Sequence, residues 1–135
     1  MPNRVQWDSS FSVDNGDLDD LHRRILEQCG ALADCCDAEP GRDGHDKFAS
    51  AFEQLMALAR EHFAAEAALL AGCGYSDLES YRHECEEYEY LAAEIVTTEN
   101  FDKLELQRFL ALWWIGHVMD GAKQHRPCLN RTCAG

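Results

Sequence analysis

The sequence predicts an all-α protein, an antiparallel up-down-up-down four-helix bundle with an N-terminal arm. Apolar residues recur at alternating steps of three and four along four segments, which is the period of one helix face. Clusters rich in Gly, Pro, Asn and Thr separate these segments at 39–44, 72–74 and 97–100. Helices of about 20 residues joined by such short loops pack as antiparallel neighbours.

The 135 residues fit a single domain, which we divide into three parts. Residues 1–16 are the arm, 17–126 the bundle and 127–135 a C-terminal tail. The arm contains Trp7, Phe11 and Val13 but no helical period, so we expect it to lie on the surface of the bundle.

The first two predicted helices each carry polar side chains within their apolar stripes. Asn15 or Asp17 is suited to cap the first helix, and His22 lies in its stripe. His62 and Glu66 lie in the stripe of the second helix, four residues apart and therefore on one face. These three side chains are predicted to point inward.

The third and fourth helices continue this pattern. Tyr81 and Cys85 lie in the inward register of the third helix, whereas His83 falls on its opposite, acidic face. His117 lies in the stripe of the fourth helix, and His125, close to the chain end, is expected at the surface. All four helices thus offer metal-competent side chains to the core.

These polar side chains are predicted to meet at one height. Residues equidistant from the loop that joins two antiparallel helices lie at the same level, and Glu66 and Tyr81 lie one turn from the main layer. That layer consists of His22, His62, Cys85 and His117. A buried carboxylate is costly without a cation, a proton or a metal beside it, so we interpret the group as a metal site. Cys85 is either a ligand or a small core residue. Tyr81 is either a phenolate ligand or a core ring bonded to Glu66.

Composition excludes several classes of partner. The chain has 25 acidic and 12 basic residues and a net charge of −13, which opposes binding to nucleic acid or to an anionic membrane. Residues 1–7 lack the apolar stretch of a signal peptide, so we expect a cytoplasmic location. Seven cysteines, an odd number, suggest packing, surface, ligand or redox thiols rather than a disulfide framework.

Five features in order resemble the bacterial hemerythrins over nearly the whole chain. They are the Trp7 arm, Asp-x-x-His at 19–22, His-Phe-x-x-Glu at 62–66, Gly-Tyr at 74–75 and Trp-x-x-x-His-Val at 113–118. The resemblance implies a four-helix bundle that holds two non-haem irons through five histidines and two bridging carboxylates, and that carries or senses O₂. It assigns His22 and His62 to one iron, Glu66 to a bridge and His117 to the other iron.

The chain departs from this family pattern at three positions. Tyr81 and Cys85 stand where the third helix of the family carries two histidines, and Ala122 stands at the second bridging carboxylate. Asp120 could replace that carboxylate only if the helix were distorted. Recruiting His83 would require the third helix to rotate and bury its acidic face, which we reject.

We therefore expect a non-haem, hemerythrin-like metal protein that senses or binds O₂, NO or peroxide at an altered iron site, rather than an ordinary O₂ carrier. The iron is mononuclear, with a two-His, one-carboxylate set, or dinuclear with Cys85 and Tyr81 as anionic replacements. Zinc is the alternative metal. Two other readings stay open: an iron enzyme acting on peroxide or NO, and a zinc-bound or metal-free bundle that acts through protein partners. A separate signalling protein is a further candidate partner.

Overall fold

The computed structural model describes residues 2, 4–36, 42–97 and 102–129. A short 3₁₀ turn at Ser9–Phe11 precedes the long helices, which are α1 (Gly16–Cys36), α2 (Arg42–Gly72), α3 (Leu78–Thr97) and α4 (Lys103–Gln124). Residues 126–129 add one helical turn after α4, and the described segments contain no strand. The all-α fold class is confirmed. α2 includes part of the predicted first loop, since one glycine costs a helix only about 1 kcal/mol.

The four helices pack in a ring, each against the next and α4 against α1. Gln28 of α1 donates to the carbonyl of Ala51 in α2 at 2.9 Å, and His22, earlier in α1, meets His62, later in α2. This opposite order is that of antiparallel neighbours. The other three pairs of neighbouring helices are also in contact. Cys29–Gln107 joins α1 to α4, Arg60–Glu89 joins α2 to α3, and Tyr88–Trp114 joins α3 to α4.

α2 ends in a glycine-dependent turn that determines where α3 starts. Gly74 has a φ of 73°, and the N–H groups of Gly74 and Tyr75 donate to the carbonyls of Ala71 and Leu70. This 5→2 and 6→1 pair is a Schellman motif, in which glycine avoids the steric cost of a left-handed backbone. The predicted break at 72–74 thus coincides with the end of α2.

A disulfide joins this turn to the end of the chain. Cys73 and Cys128 are bonded across a sequence separation of 55 residues, while Cys29, Cys35, Cys36 and Cys85 form no disulfide. The expectation of packing or surface thiols is therefore wrong for Cys73 and Cys128. Sequence spacing could not predict the pair, because only the bundle brings the two chain segments together.

The arm is attached to the bundle through Asp19. Its carboxylate accepts from the Ser12 hydroxyl at 2.6 Å and from the Val13 N–H at 3.0 Å, and Val13 is fully buried. The Asn15 side chain accepts from the N–H of Leu18 at 3.1 Å, which confirms it as a cap of α1. The arm therefore lies on the bundle, as expected. The domain boundaries at 16 and 126 stay a prediction.

Among the described residues, one hydrophobic core includes Val13 of the arm, residues of all four helices and Leu129 after α4. An aromatic cluster of Phe63, Tyr88 and Trp114 packs beside the polar cluster, with the indole N–H of Trp114 donating to the Tyr88 hydroxyl at 2.9 Å. The Phe63 ring stacks on Trp114, and the His62 ring meets Trp114 edge-on. Among the described residues, no helix is both long and apolar enough to cross a bilayer.

Candidate metal centre

Three helices bring four buried side chains together. Each offers one ligand atom, and these atoms all lie within 4.8 Å of one another; the residues are His22 of α1, His62 and Glu66 of α2, and His117 of α4. His22, His62 and Glu66 have no exposed surface, and His117 is 8 % exposed. The predicted convergence of these four side chains is therefore present.

The cluster is organised around the carboxylate of Glu66. Oε2 lies 3.0 Å from Nε2 of His62 and 3.4 Å from Nε2 of His22, and Oε1 lies 3.1 Å from Nε2 of His117. The two Nε2 atoms of His22 and His62 are themselves only 2.7 Å apart. The i, i+4 spacing of His62 and Glu66 stacks both on one face of α2, as predicted.

The nitrogens of His22 and His62 carry too few hydrogens to bond with one another and with Glu66 at once, and this bears on whether the residues fit a metal. A neutral imidazole has one N–H and one lone pair, so the facing Nε2 atoms of His22 and His62 share at most one hydrogen. Their Nδ1 atoms are buried and have no hydrogen-bond partner. Ligands of one ion, at about 2.0–2.2 Å from it, stand at most about 4.4 Å apart. Lone pairs that converge at nearly this spacing fit a first-row divalent cation.

The protonation states suit a cation as well. Burial acts to raise the pKa of Glu66, but His62 and His117 outweigh it and hold the pKa well below its usual range. Burial lowers the pKa of His62 to about 4, despite the attraction of Glu66. At neutral pH the cluster therefore contains a carboxylate and a neutral His62, which are the forms that bind metal.

α3 contributes no atom to this four-residue set. Tyr81 and Cys85 are both buried, and the Tyr81 ring lies 6.0 Å from that of His117. The Tyr81 hydroxyl has no hydrogen-bond partner, and burial together with the charge of Glu66 raises its pKa. Burial raises the pKa of Cys85 to about 12. Without a cation both groups are protonated, and their role as ligands stays a prediction.

A fourth histidine that sequence reasoning missed reaches the cluster. His125 is only 6 % exposed, and its Nδ1 lies 3.5 Å from Oε1 of Glu66, so the expectation of a surface position is wrong. The apolar stripe of α4 offered no signal, because His125 follows the last residue of that helix. His83 is exposed, as expected, and so is Asp120, on an undistorted helix.

A solvent-open pocket of about 410 Å³ reaches the cluster between α3 and α4. His117 and His125 line its inner wall, and Trp113 stacks against the His117 ring at a centroid distance of 5.0 Å. Glu84, Glu87 and Asp120 are among its other lining residues. The pocket is thus an acidic approach from solvent to one end of the cluster.

The fold and the site define a four-helix bundle with a buried, metal-competent His/Glu cluster. The family model described as "Hemerythrin HHE cation binding domain" matches residues 14–121, which include all four residues of the cluster. The chain belongs to this hemerythrin family, which confirms the resemblance seen in the motifs.

Two curated relatives are similar over almost their entire length. The "Hemerythrin-like protein" of Naegleria gruberi and that of Naegleria fowleri are each 26 % identical over 129 residues, covering 96 % of this chain and 97 % of theirs. No solved structure was found to match the chain. The similarity therefore supports a hemerythrin-like metal-binding domain.

Proposed function

We propose that this protein holds non-haem iron at the His/Glu cluster and uses it to bind or sense O₂, NO or peroxide. The observation that carries the proposal is the convergence of four buried ligand atoms from three helices within 4.8 Å. Iron bound by histidines and a carboxylate supplies reversible binding and one-electron chemistry toward such ligands.

The residues around the cluster support a small ligand. The pocket between α3 and α4 ends at His117 and His125, so a diatomic molecule or peroxide has a path to the site. The Tyr81 hydroxyl is buried and unpartnered, and its raised pKa keeps it protonated as a hydrogen-bond donor. Phe63 and Trp114 pack their apolar rings against both His62 and His117.

The departures from the family pattern favour sensing over ordinary O₂ carriage. α3 offers a phenol and a thiol, Tyr81 and Cys85, in place of two imidazoles, and Ala122 has no carboxylate. A thiol that becomes a thiolate beside a metal is oxidisable, so Cys85 is a candidate redox group. Exchange of Cys85 for serine should then leave metal content unchanged and alter the response to peroxide.

Metal analysis and anaerobic Fe(II) titration test the proposal, with Glu66→Gln as the decisive variant. Losing a group that merely orients a ligand costs about 10–100-fold in metal affinity, so loss of the central carboxylate should cost more than about 100-fold. Glu61→Gln, an exposed position on the same helix, is the matched control and should bind as the wild type does.

Addition of NO to the iron-loaded protein should produce a new visible absorption band, and Tyr81→Phe should weaken NO binding without changing iron content. A wild-type protein that takes up no iron, or a Glu66→Gln variant that binds it equally well, contradicts the proposal. Zinc alone in the purified protein, with no Fe(II) binding, points to the zinc alternative.

A further inference from the structure

His125 is held against the cluster by several independent contacts. It caps α4, where its N–H donates to the carbonyl of Gly121 at 2.8 Å, and its own carbonyl accepts from Leu129 at 2.9 Å. The disulfide between Cys73 and Cys128 ties this turn to the loop after α2. The ring is thus fixed by backbone on both sides and by a covalent bond three residues away.

The packing around the ring directs Nδ1 toward Glu66. The rings of Tyr75 and Tyr81 meet His125 edge-on, at centroid distances of 5.1 and 5.4 Å. A Cβ at Gly121 would lie only 3.3 Å from Nδ1, so glycine leaves room for the ring. Nδ1 is buried and has no hydrogen-bond partner, although it lies 3.5 Å from Oε1 of Glu66.

With His125 included, the histidines divide evenly between the two oxygens of Glu66. His22 and His62 lie beside Oε2, whereas His117 and His125 lie beside Oε1. Each oxygen therefore has two imidazole nitrogens within 3.5 Å. A carboxylate that holds two nitrogens at each oxygen is arranged to bridge two cations.

We propose that His125 is a metal ligand, and that with His117 and Oε1 of Glu66 it forms a second half-site, so that the chain binds two divalent first-row ions. This inference rests on the proposed function. His125 lies outside residues 14–121, the segment that the family model matches. In this proposal the turn after α4 supplies the imidazole, whereas α3 offers Tyr81 and Cys85 to the core. The pocket opens on this second half-site, because His117 and His125 line it.

A purely structural role for His125 makes a different prediction. A histidine that only donated a hydrogen bond to Glu66 would affect the stability of the fold, but it would not change the number of ions bound. Metal stoichiometry therefore separates the two roles, and it does so without an assay of activity.

The test is anaerobic titration of the full chain with Co(II), followed by its visible absorption and by metal analysis after gel filtration. We expect two Co(II) per chain for the wild type and one for His125→Ala, with the visible spectrum of one half-site lost. His83→Ala removes an exposed histidine and should still bind two. Added imidazole should restore the second Co(II) to His125→Ala, and circular dichroism verifies that the variant is folded.

Two results overturn the inference while leaving the proposed function intact: one Co(II) per wild-type chain, or two per chain in both the wild type and folded His125→Ala. The wild-type count needs no variant, so it decides even if His125→Ala does not fold. A wild type that binds neither Co(II) nor Fe(II) contradicts the proposed function itself and the inference with it.

Discussion

Glu66 has both carboxylate oxygens beside two histidine nitrogens each, and the residue has no exposed surface. An isolated carboxylate there would take up a proton, because burial disfavours its charge. The surrounding imidazoles reverse that preference and lower its pKa. The side chain of Glu66 is therefore ionised, as cation binding requires, even in the metal-free protein.

The low pKa of His62 predicts that the metal-free protein becomes less stable in mild acid. The pKa of His62 is 6.5 in the unfolded chain and about 4 in the folded one, so between these pH values the unfolded chain binds more protons. The free energy of unfolding should fall as pH is lowered from 6.5 to about 4. Glu66, with a lowered pKa, extends the loss below 4.5.

Urea unfolding of chelator-treated protein at a series of pH values measures this effect. His62→Asn should show a smaller slope between pH 6.5 and 4, whereas His83→Asn, at an exposed site, should match the wild type. A wild-type stability that is flat across this interval would show that His62 does not titrate as the structure implies.

At the scale of elements, α3 and the turn after α4 bring different kinds of side chain to the site. α3 presents Tyr81 and Cys85 to the site, while the turn that follows α4 presents His125. The turn is short, and an isolated turn of this length has little stability of its own. The disulfide between Cys73 and Cys128 supplies the missing constraint.

Replacing Cys128 by serine should therefore weaken the second half-site more than the first. We expect the affinity for the second Co(II) to fall, because His125 gains freedom, while the first ion binds as before. The chain-entropy model for a loop of this length predicts a loss of about 4 kcal/mol in the free energy of unfolding.

Stepwise Co(II) affinities and urea unfolding, both measured on oxidised protein, check this prediction. Cys35→Ser removes a free, partly buried thiol and is the control. Equal weakening of both ions, or of neither, would show that the disulfide does not position His125. Disulfides are rare in reducing compartments, so the redox state of Cys73 in cells also tests the predicted cytoplasmic location.

For the whole molecule, the cluster lies where three helices meet, and a bound ion would cross-link them. The four residues that could hold an ion come from α1, α2 and α4, so an ion bound there would stabilise only the folded chain. Binding at a concentration of 100 Kd adds about 2.7 kcal/mol of stability, which for this length is a rise in Tm of about 10 °C. The net charge of −13 further attracts cations from solution.

Thermal unfolding with and without Co(II) measures that rise, and excess chelator should reverse it. Glu66→Gln should unfold at the same temperature in both conditions. An equal shift in Glu66→Gln would mean that the metal acts through the acidic surface rather than through the cluster.

Much of this architecture follows from local pattern. The 3–4 period of apolar residues predicted the helices. Antiparallel residues equidistant from a loop lie at the same height, and this rule predicted that His22, His62 and His117 lie close together. The same rule set Cys85 beside His62, yet the four-residue set does not include its sulfur. The rule gives a height along the bundle, but not the rotation of each helix about its axis.

The sequence alone determined the fold class, the family and the four residues that meet in the buried cluster, because these depend on periodicity and on motifs within single helices. Only the tertiary structure decided that His125 is buried beside Glu66 and that Cys73 pairs with Cys128. Both contacts join the end of the chain to residues more than 50 positions earlier. No local period encodes such contacts, since they depend on where the chain turns after its last helix.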